Sequence, residues 1–229
     1  MGSQRLTAND GRVEAHYAYS ERGRGDDLTA RWKLDARGLP LSYDATGNDY
    51  WKVPITEHFE VGAGRASWRN RIEGGEAPWP ESGAFYLPAN APPEFTGVLA
   101  RALLKAPGQR LQLLPAGEAW LERGETMPAG AHRLTLLRIG GIQFTPVPVW
   151  LDERQETVAV IDDWFQVLGA GTKALLPKLT ARQDAAGLGN PRLAAGGRAV
   201  RTVAEIIGGV RDRICWRCAD ACAALREDM

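Results

Sequence analysis

The first 214 of 229 residues contain no cysteine, and the whole chain has only three histidines, His16, His58 and His132. The first absence argues against a disulfide-stapled scaffold. The second leaves no histidine near the cysteines to complete a zinc set, and no cysteine has a histidine partner in sequence reach that would argue for acyl transfer. No apolar run reaches the roughly 18 residues that a membrane-crossing helix needs. The opening MGSQRLTANDGRV lacks the basic-then-apolar order of a secretory leader. It leads almost directly into a strand, as expected of a chain that has lost its true beginning. Net charge is missing too: 28 basic residues offset 28 acidic ones, so no overall field draws the chain to nucleic acid or an anionic surface. What is plentiful is apolar and turn-forming material, with eight Trp, 26 Gly and 14 Pro.

A period of two dominates the N-terminal half. In RVEAHYAYS, Val13, Ala15, Tyr17 and Tyr19 share one face, and LTARWKLDA repeats the pattern with Leu28, Ala30, Trp32 and Leu34. LPLSYDATG, PITEHFEVG (Ile55, Phe59, Val61 inward) and GRASWRNRIE (Ala66, Trp68, Ile72 inward) continue it. The connectors are too short for parallel crossovers, so these segments form an antiparallel meander of about five strands. A second set, RLQLLP to ETVAVIDDWFQVL, is expected to extend the same sheet.

One helix is well marked over 92–105. Phe95, Val98, Leu99, Ala102 and Leu103 form its stripe, Asn90 is its expected cap, Pro92 and Pro93 occupy its first turn, and Pro107-Gly108 stops it. The fold class that follows is α+β: a strongly curved antiparallel meander sheet wrapped on one central helix, over 10–168. A helical C-terminal appendage over 169–229 completes the chain. Its last part, from Arg201 to Glu227, has an apolar stripe interrupted by Gly208-Gly209.

The candidate chemistry is sparse. Cys215, Cys218 and Cys222 in CWRCADAC converge on one side of a helix, but no histidine lies near to complete a zinc set. Without a preceding strand they do not form a thioredoxin-like pair either, and Cys218 reads as part of the apolar stripe. LGAGTK (Leu168–Lys173) has the wrong spacing for a phosphate loop, and Thr172 reads as a helix cap. Arg65, Arg69 and Arg71 lie opposite Trp68 as a solvated basic strand face, not a nucleic-acid platform. Glu57-His58 and Asp162-Asp163 are adjacent pairs, whose side chains diverge in a strand, so neither is a ready acid–base dyad. The residues assign no catalytic, cofactor-binding or metal position.

Three extended phrases carry a family resemblance: DGRVEAHYAYSERGRGDDLTARWKLDARGLPLSYDATGNDYWKVPITEHFE, GAFYLPANAPPEFTGVLARALLKAPGQRLQLLPAGEA and IGGIQFTPVPVWLDE. Over about residues 3–187 the chain resembles the N-terminal, sheet-rich accessory region of bacterial metal-dependent amidohydrolases. That resemblance implies an exported or periplasmic parent hydrolase acting on C–N bonds, with the present chain a non-catalytic accessory fragment. The chain has no His-x-His pair, and its length leaves no room for the metal barrel of about 250 residues, so no ligand carries over. The expected partner is the missing hydrolase portion. After about residue 186 the resemblance stops, as a frameshifted tail would. The rival expectation is a free-standing envelope module holding a lipid or other apolar ligand on its curved sheet, with an open apolar cavity between sheet and helix.

Overall fold

The computed structural model describes residues 2–9, 11–130, 132–161 and 166–186. The first sheet is a continuous meander of β1 (Gly2–Asn9), β2 (Arg12–Tyr19), β3 (Asp27–Leu34), β4 (Pro40–Asn48), β5 (Pro54–Gly62), β6 (Arg65–Arg69) and β7 (Gly74–Pro78). Every neighbour in it is antiparallel. The predicted inward residues Ala15, Leu28, Ala30, Trp32, Tyr43 and Phe59 are buried, while Glu14, Arg31, Lys33 and Asp44 alternate outward.

Two boundaries move. The sheet begins at Gly2, not near residue 10, because an edge strand exposed on both faces has no apolar alternation to reveal it. β6 ends at Arg69, so Ile72 lies in the following turn, 79% exposed, instead of inside.

The second half does not extend this sheet. β8 (Phe85–Tyr86), β9 (Arg110–Leu114), β10 (Glu118–Ala129), β11 (His132–Gly140), β12 (Val147–Leu151), β13 (Thr157–Ile161) and β14 (Gln166–Leu168) form a separate seven-stranded sheet whose strands lie in chain order. All its pairs are antiparallel except β8 with β9, which are parallel. The helix between β8 and β9 supplies the crossover that a parallel pair requires.

That helix, α1 (Glu94–Lys105), packs against residues of both sheets in one core. Phe95 meets Trp32 and Tyr43 of the first sheet edge-on, at 5.3 and 5.0 Å between ring centres, and Phe85 at 5.4 Å. On the other side Gly97 lies so close to β13 that an added Cβ would sit 2.0 Å from Thr157 Oγ1. The hydroxyl is held in place by a hydrogen bond that it accepts from Arg101 Nη1 at 3.0 Å, so moving it aside breaks that bond. Gly97→Ala is therefore expected to lose about 1–3 kcal/mol, despite a gain of about 1 kcal/mol in helix propensity. Adding Thr157→Ala should recover part of the loss; chemical denaturation of the two single variants and the double variant measures the coupling.

The helix is not capped as its sequence suggests. Asn90 lies upstream, engaged elsewhere, and the Glu94 N–H is met by Gln4 Oε1 of β1 across 90 residues of sequence. Beyond the second sheet a short 3-10 turn (Lys173–Leu175) leads into α2 (Leu176–Ala185). Thr172 does not cap it; its hydroxyl donates back to the Gly169 carbonyl at 2.7 Å. Leu179 of α2 joins a second apolar cluster with Leu134, Leu136, Trp150 and Ile161. Gln183 anchors it, accepting from Trp150 Nε1 at 2.8 Å and donating to the Ile161 carbonyl at 3.1 Å. The expected helix from Arg201, the three cysteines and Asp162-Asp163 lie outside the described residues.

Candidate functional site

Among the described residues, three groupings of polar or aromatic side chains stand out. The first is buried. Glu57 follows Ile55 and precedes Phe59 on β5, so the strand's period of two turns its carboxylate into the core, where it is 2% exposed. Four donors converge on it. Tyr86 Oη and the Ala89 N–H donate to Oε1 at 2.8 Å, and the Asn90 N–H and Nδ2 donate to Oε2 at 2.9 and 3.3 Å. Tyr43 Oη closes the circuit by donating to the Asn90 carbonyl at 2.5 Å. Burial foremost, and then the Glu57 carboxylate, push the Tyr43 and Tyr86 phenols well above their usual range, so both stay protonated donors. The carboxylate has no lone pair left over for a substrate. It fastens the segment entering α1 to the middle of the first sheet.

The second grouping is His132, Asp152 and Glu153, whose ligand atoms lie within 4.8 Å of one another where the start of β11 meets the β12–β13 turn. All three are already engaged. His132 Nδ1 meets Glu153 Oε1 at 2.8 Å, Glu153 Oε2 accepts the Arg133 N–H, and Asp152 Oδ1 accepts the N–H groups of Arg154 and Glu156. The His132 hydrogen bond, foremost, lowers the Glu153 carboxyl to about 2. A folded-state value below the unfolded one contributes stability above the unfolded carboxyl's range, and the contribution fades as pH falls toward 2. Glu153→Gln should thus differ from the parent in unfolding midpoint near neutrality and converge with it in strong acid; a difference that grows on acidification would refute this pairing.

The third grouping opens on solvent at one end of the first sheet. Tyr17 and Tyr19 on β2, with Tyr50 and Trp51 in the β4–β5 turn, form a ladder of rings. Successive centres are 5.8, 6.4 and 5.1 Å apart, the Tyr19–Tyr50 pair stacked and the Tyr50–Trp51 pair edge-on. The Arg24 guanidinium lies 4.4 Å over the Trp51 ring, and Lys52 Nζ donates to the Gly25 carbonyl, tying the β2–β3 turn to the β4–β5 turn. Asp49 Oδ1 accepts the N–H groups of Trp51 and Val53 and so fixes the turn. Tyr17 is buried, Tyr19 and Tyr50 are half-buried, and Trp51 is 57% exposed, so the ladder runs from core to solvent. On the same inward face β1 leaves Leu6 43% exposed, opposite Ala15.

The other sequence candidates scatter. Glu57 points inward and His58 outward to Asp44 Oδ1 at 2.6 Å, so the adjacent pair is divided as its strand geometry requires. Arg65 pairs with Glu76, Arg69 stays on the outer strand face, and Arg71 has passed into the turn with Ile72. A shallow hollow of about 660 Å³ runs along this hairpin past His58, Trp68 and Arg69. Glu57 was detectable in the sequence, because the phase that places Ile55 and Phe59 inside places it there too. The ring ladder was not, since its members come from β2 and from the β4–β5 turn, which only the meander brings together.

No helix among the described residues is long and apolar enough to cross a membrane. No family model matches the chain, and no curated protein matches it. Among solved structures, one of a DUF1089 family protein from Pseudomonas aeruginosa is similar at 17% identity, covering 73% of this chain and 92% of that one with a TM-score of 0.42.

Proposed function

We propose that this chain is a non-catalytic binding module whose ligand is amphipathic, held by the aromatic ladder at the end of the first sheet. The graded exposure of Tyr17, Tyr19, Tyr50 and Trp51 carries this reading. Tyrosine and tryptophan present large apolar faces with polar tips, and suit a site apolar at one end and wet at the other. Leu6 adds apolar surface, and Arg24 and Lys52 supply cations for a polar head. The ligand is not expected inside the core, because Phe95, Val98 and Leu99 of α1 occupy the space between the sheets.

Titrating the protein with monomeric dodecylphosphocholine, below the concentration at which it forms micelles, tests the reading through tryptophan fluorescence. A saturable change is expected that Trp51→Ala removes. A response that is absent, or equal in the variant, would contradict it.

The filled space between the sheets, with Phe144 81% exposed on the β11–β12 connection, also favours a second reading, an accessory domain that docks on a hydrolase portion outside this chain. On either reading the isolated chain should not hydrolyse dipeptides or lactams with added divalent metal, and measurable metal-dependent turnover would refute both.

A further inference from the structure

A strand at the edge of a sheet offers a row of unpaired N–H and C=O groups, which folds usually blunt by shortness, proline, charge or a bulge. Among the described residues the two sheets have four edges: β1, β7, β8 and β14. β8 has two residues and β14 three; β7 has five, ends in Pro78 and carries Glu76 in an ion pair with Arg65. β1 has none of these devices. It runs for eight residues without proline, keeps an unbroken register with β2, and has Arg5 as its only charged residue. Nor is it a loose arm, because Gln4 Oε1 accepts the Glu94 N–H and ties the strand to the start of α1.

The turn that follows β1 decides which of its backbone groups are open. Asn9 and Arg12 face each other with two residues between them, and a turn of that length closes on a hydrogen-bonded pair. Bonded and non-bonded pairs alternate along an antiparallel ladder, so Ser3, Arg5, Thr7 and Asn9 spend their N–H and C=O groups on β2. The far end of the ladder agrees: the Tyr19 N–H donates to the Asp26 carbonyl on the β3 side, so Tyr19 and Gly2 opposite it are not a bonded pair. Gly2, Gln4, Leu6 and Ala8 therefore turn their backbone groups to the open edge. The same four positions share the inward face, where Leu6 is 43% exposed.

We propose that β1 pairs antiparallel with β1 of a second copy of this chain, about a two-fold axis at Leu6, joining the two first sheets into one. The strand complements itself in that register. Leu6 faces the partner's Leu6, and Gln4 faces the partner's Ala8 on either side of the axis. All of these are positions with open backbone groups, and each pair exchanges two hydrogen bonds. On the inward face the two exposed leucine side chains cover each other, and on the outward face Arg5 lies opposite the partner's Thr7. Centring the axis on Arg5 would set like charges face to face, and centring it on Thr7 would forfeit the leucine contact. A slip by one residue would turn the inward face outward. No other edge among the described residues offers eight positions to match β1, and a strand already ordered by β2 and Gln4 loses little freedom on pairing.

Sedimentation velocity of the full chain over rising concentration should show monomers giving way to dimers. Amide hydrogen exchange then identifies the strand. Gln4, Leu6 and Ala8 should exchange about tenfold or more slowly in the dimer than in dilute monomer, while Arg5 and Thr7 are protected in both. Leu6→Pro removes the N–H at the axis, one that β2 does not use, and proline is tolerated in an edge strand whose N–H faces solvent. That variant should keep the parent's circular dichroism and stay monomeric where the parent is dimeric. Leu6→Lys keeps the N–H but replaces the leucine contact with two facing ammonium groups, and should weaken dimerisation about tenfold. A parent that stays monomeric at every concentration would overturn the proposal. So would a dimer whose Gln4, Leu6 and Ala8 amides exchange as fast as in the monomer, or a Leu6→Pro chain that dimerises as well as the parent.

Discussion

Replacing Glu57 by leucine is expected to destabilise the fold by about 3–5 kcal/mol, the range for removing one partner from a buried charged network. The leucine fills the volume but accepts nothing. Tyr86 Oη, the Ala89 N–H and both Asn90 donors would lose their shared acceptor at once. Ala89 and Asn90 are partly accessible and can recover water, whereas Tyr86 is 1% exposed and cannot. Glu57→Gln should cost less, about 1–2 kcal/mol, since its carbonyl oxygen still accepts while its amide opposes the remaining donors. Urea unfolding of the three proteins gives the order parent, glutamine, leucine. A leucine variant within about 0.5 kcal/mol of the parent would show that the network does not hold the helix entry.

The second large effect belongs to Phe95. Its ring touches Trp32, Tyr43 and Phe85, which come from both sheets, so its removal opens a void where three elements meet. Phe95→Ala should lose about 3–5 kcal/mol. Leu104→Ala, on the half-buried side of the same helix, should lose distinctly less, because its surroundings already include solvent. Equal losses at the two positions would mean that α1 is not gripped from both sides. Tyr43 links the two predictions, since its ring packs on Phe95 and its hydroxyl holds Asn90. A double variant of Glu57 and Phe95 should therefore depart from additivity.

The sequence displays its local geometry and hides what depends on distant pairing. Alternation from Val13 to Phe59 and the stripe from Phe95 to Leu103 are direct consequences of periods of two and 3.6, and each named inward position is at least half-buried. The division into two sheets was not legible. It depends on β8, two residues long, pairing in parallel with β9 across the whole of α1, and so short a strand carries no pattern. β1 was missed for the opposite reason: its residues are exposed on both faces, and only pairing with β2 in an unbroken register of eight positions makes it a strand. Asn90 looked like a helix cap because its type suits one, yet the buried carboxylate competes for the same side chain and wins it. The ring ladder belongs to topology, since Tyr19 and Tyr50, about thirty positions apart, become neighbours only when the meander folds.

The most direct test of a rim site on a filled core is a chemical-shift map of the protein titrated with monomeric dodecylphosphocholine. Signals of Tyr19, Arg24, Tyr50 and the Trp51 indole should move in step and saturate, while those of Val98, Leu99 and Phe95 in α1 stay in place. Perturbation centred on α1, with the rim unmoved, would mean that the core opens to admit the ligand and would contradict the account.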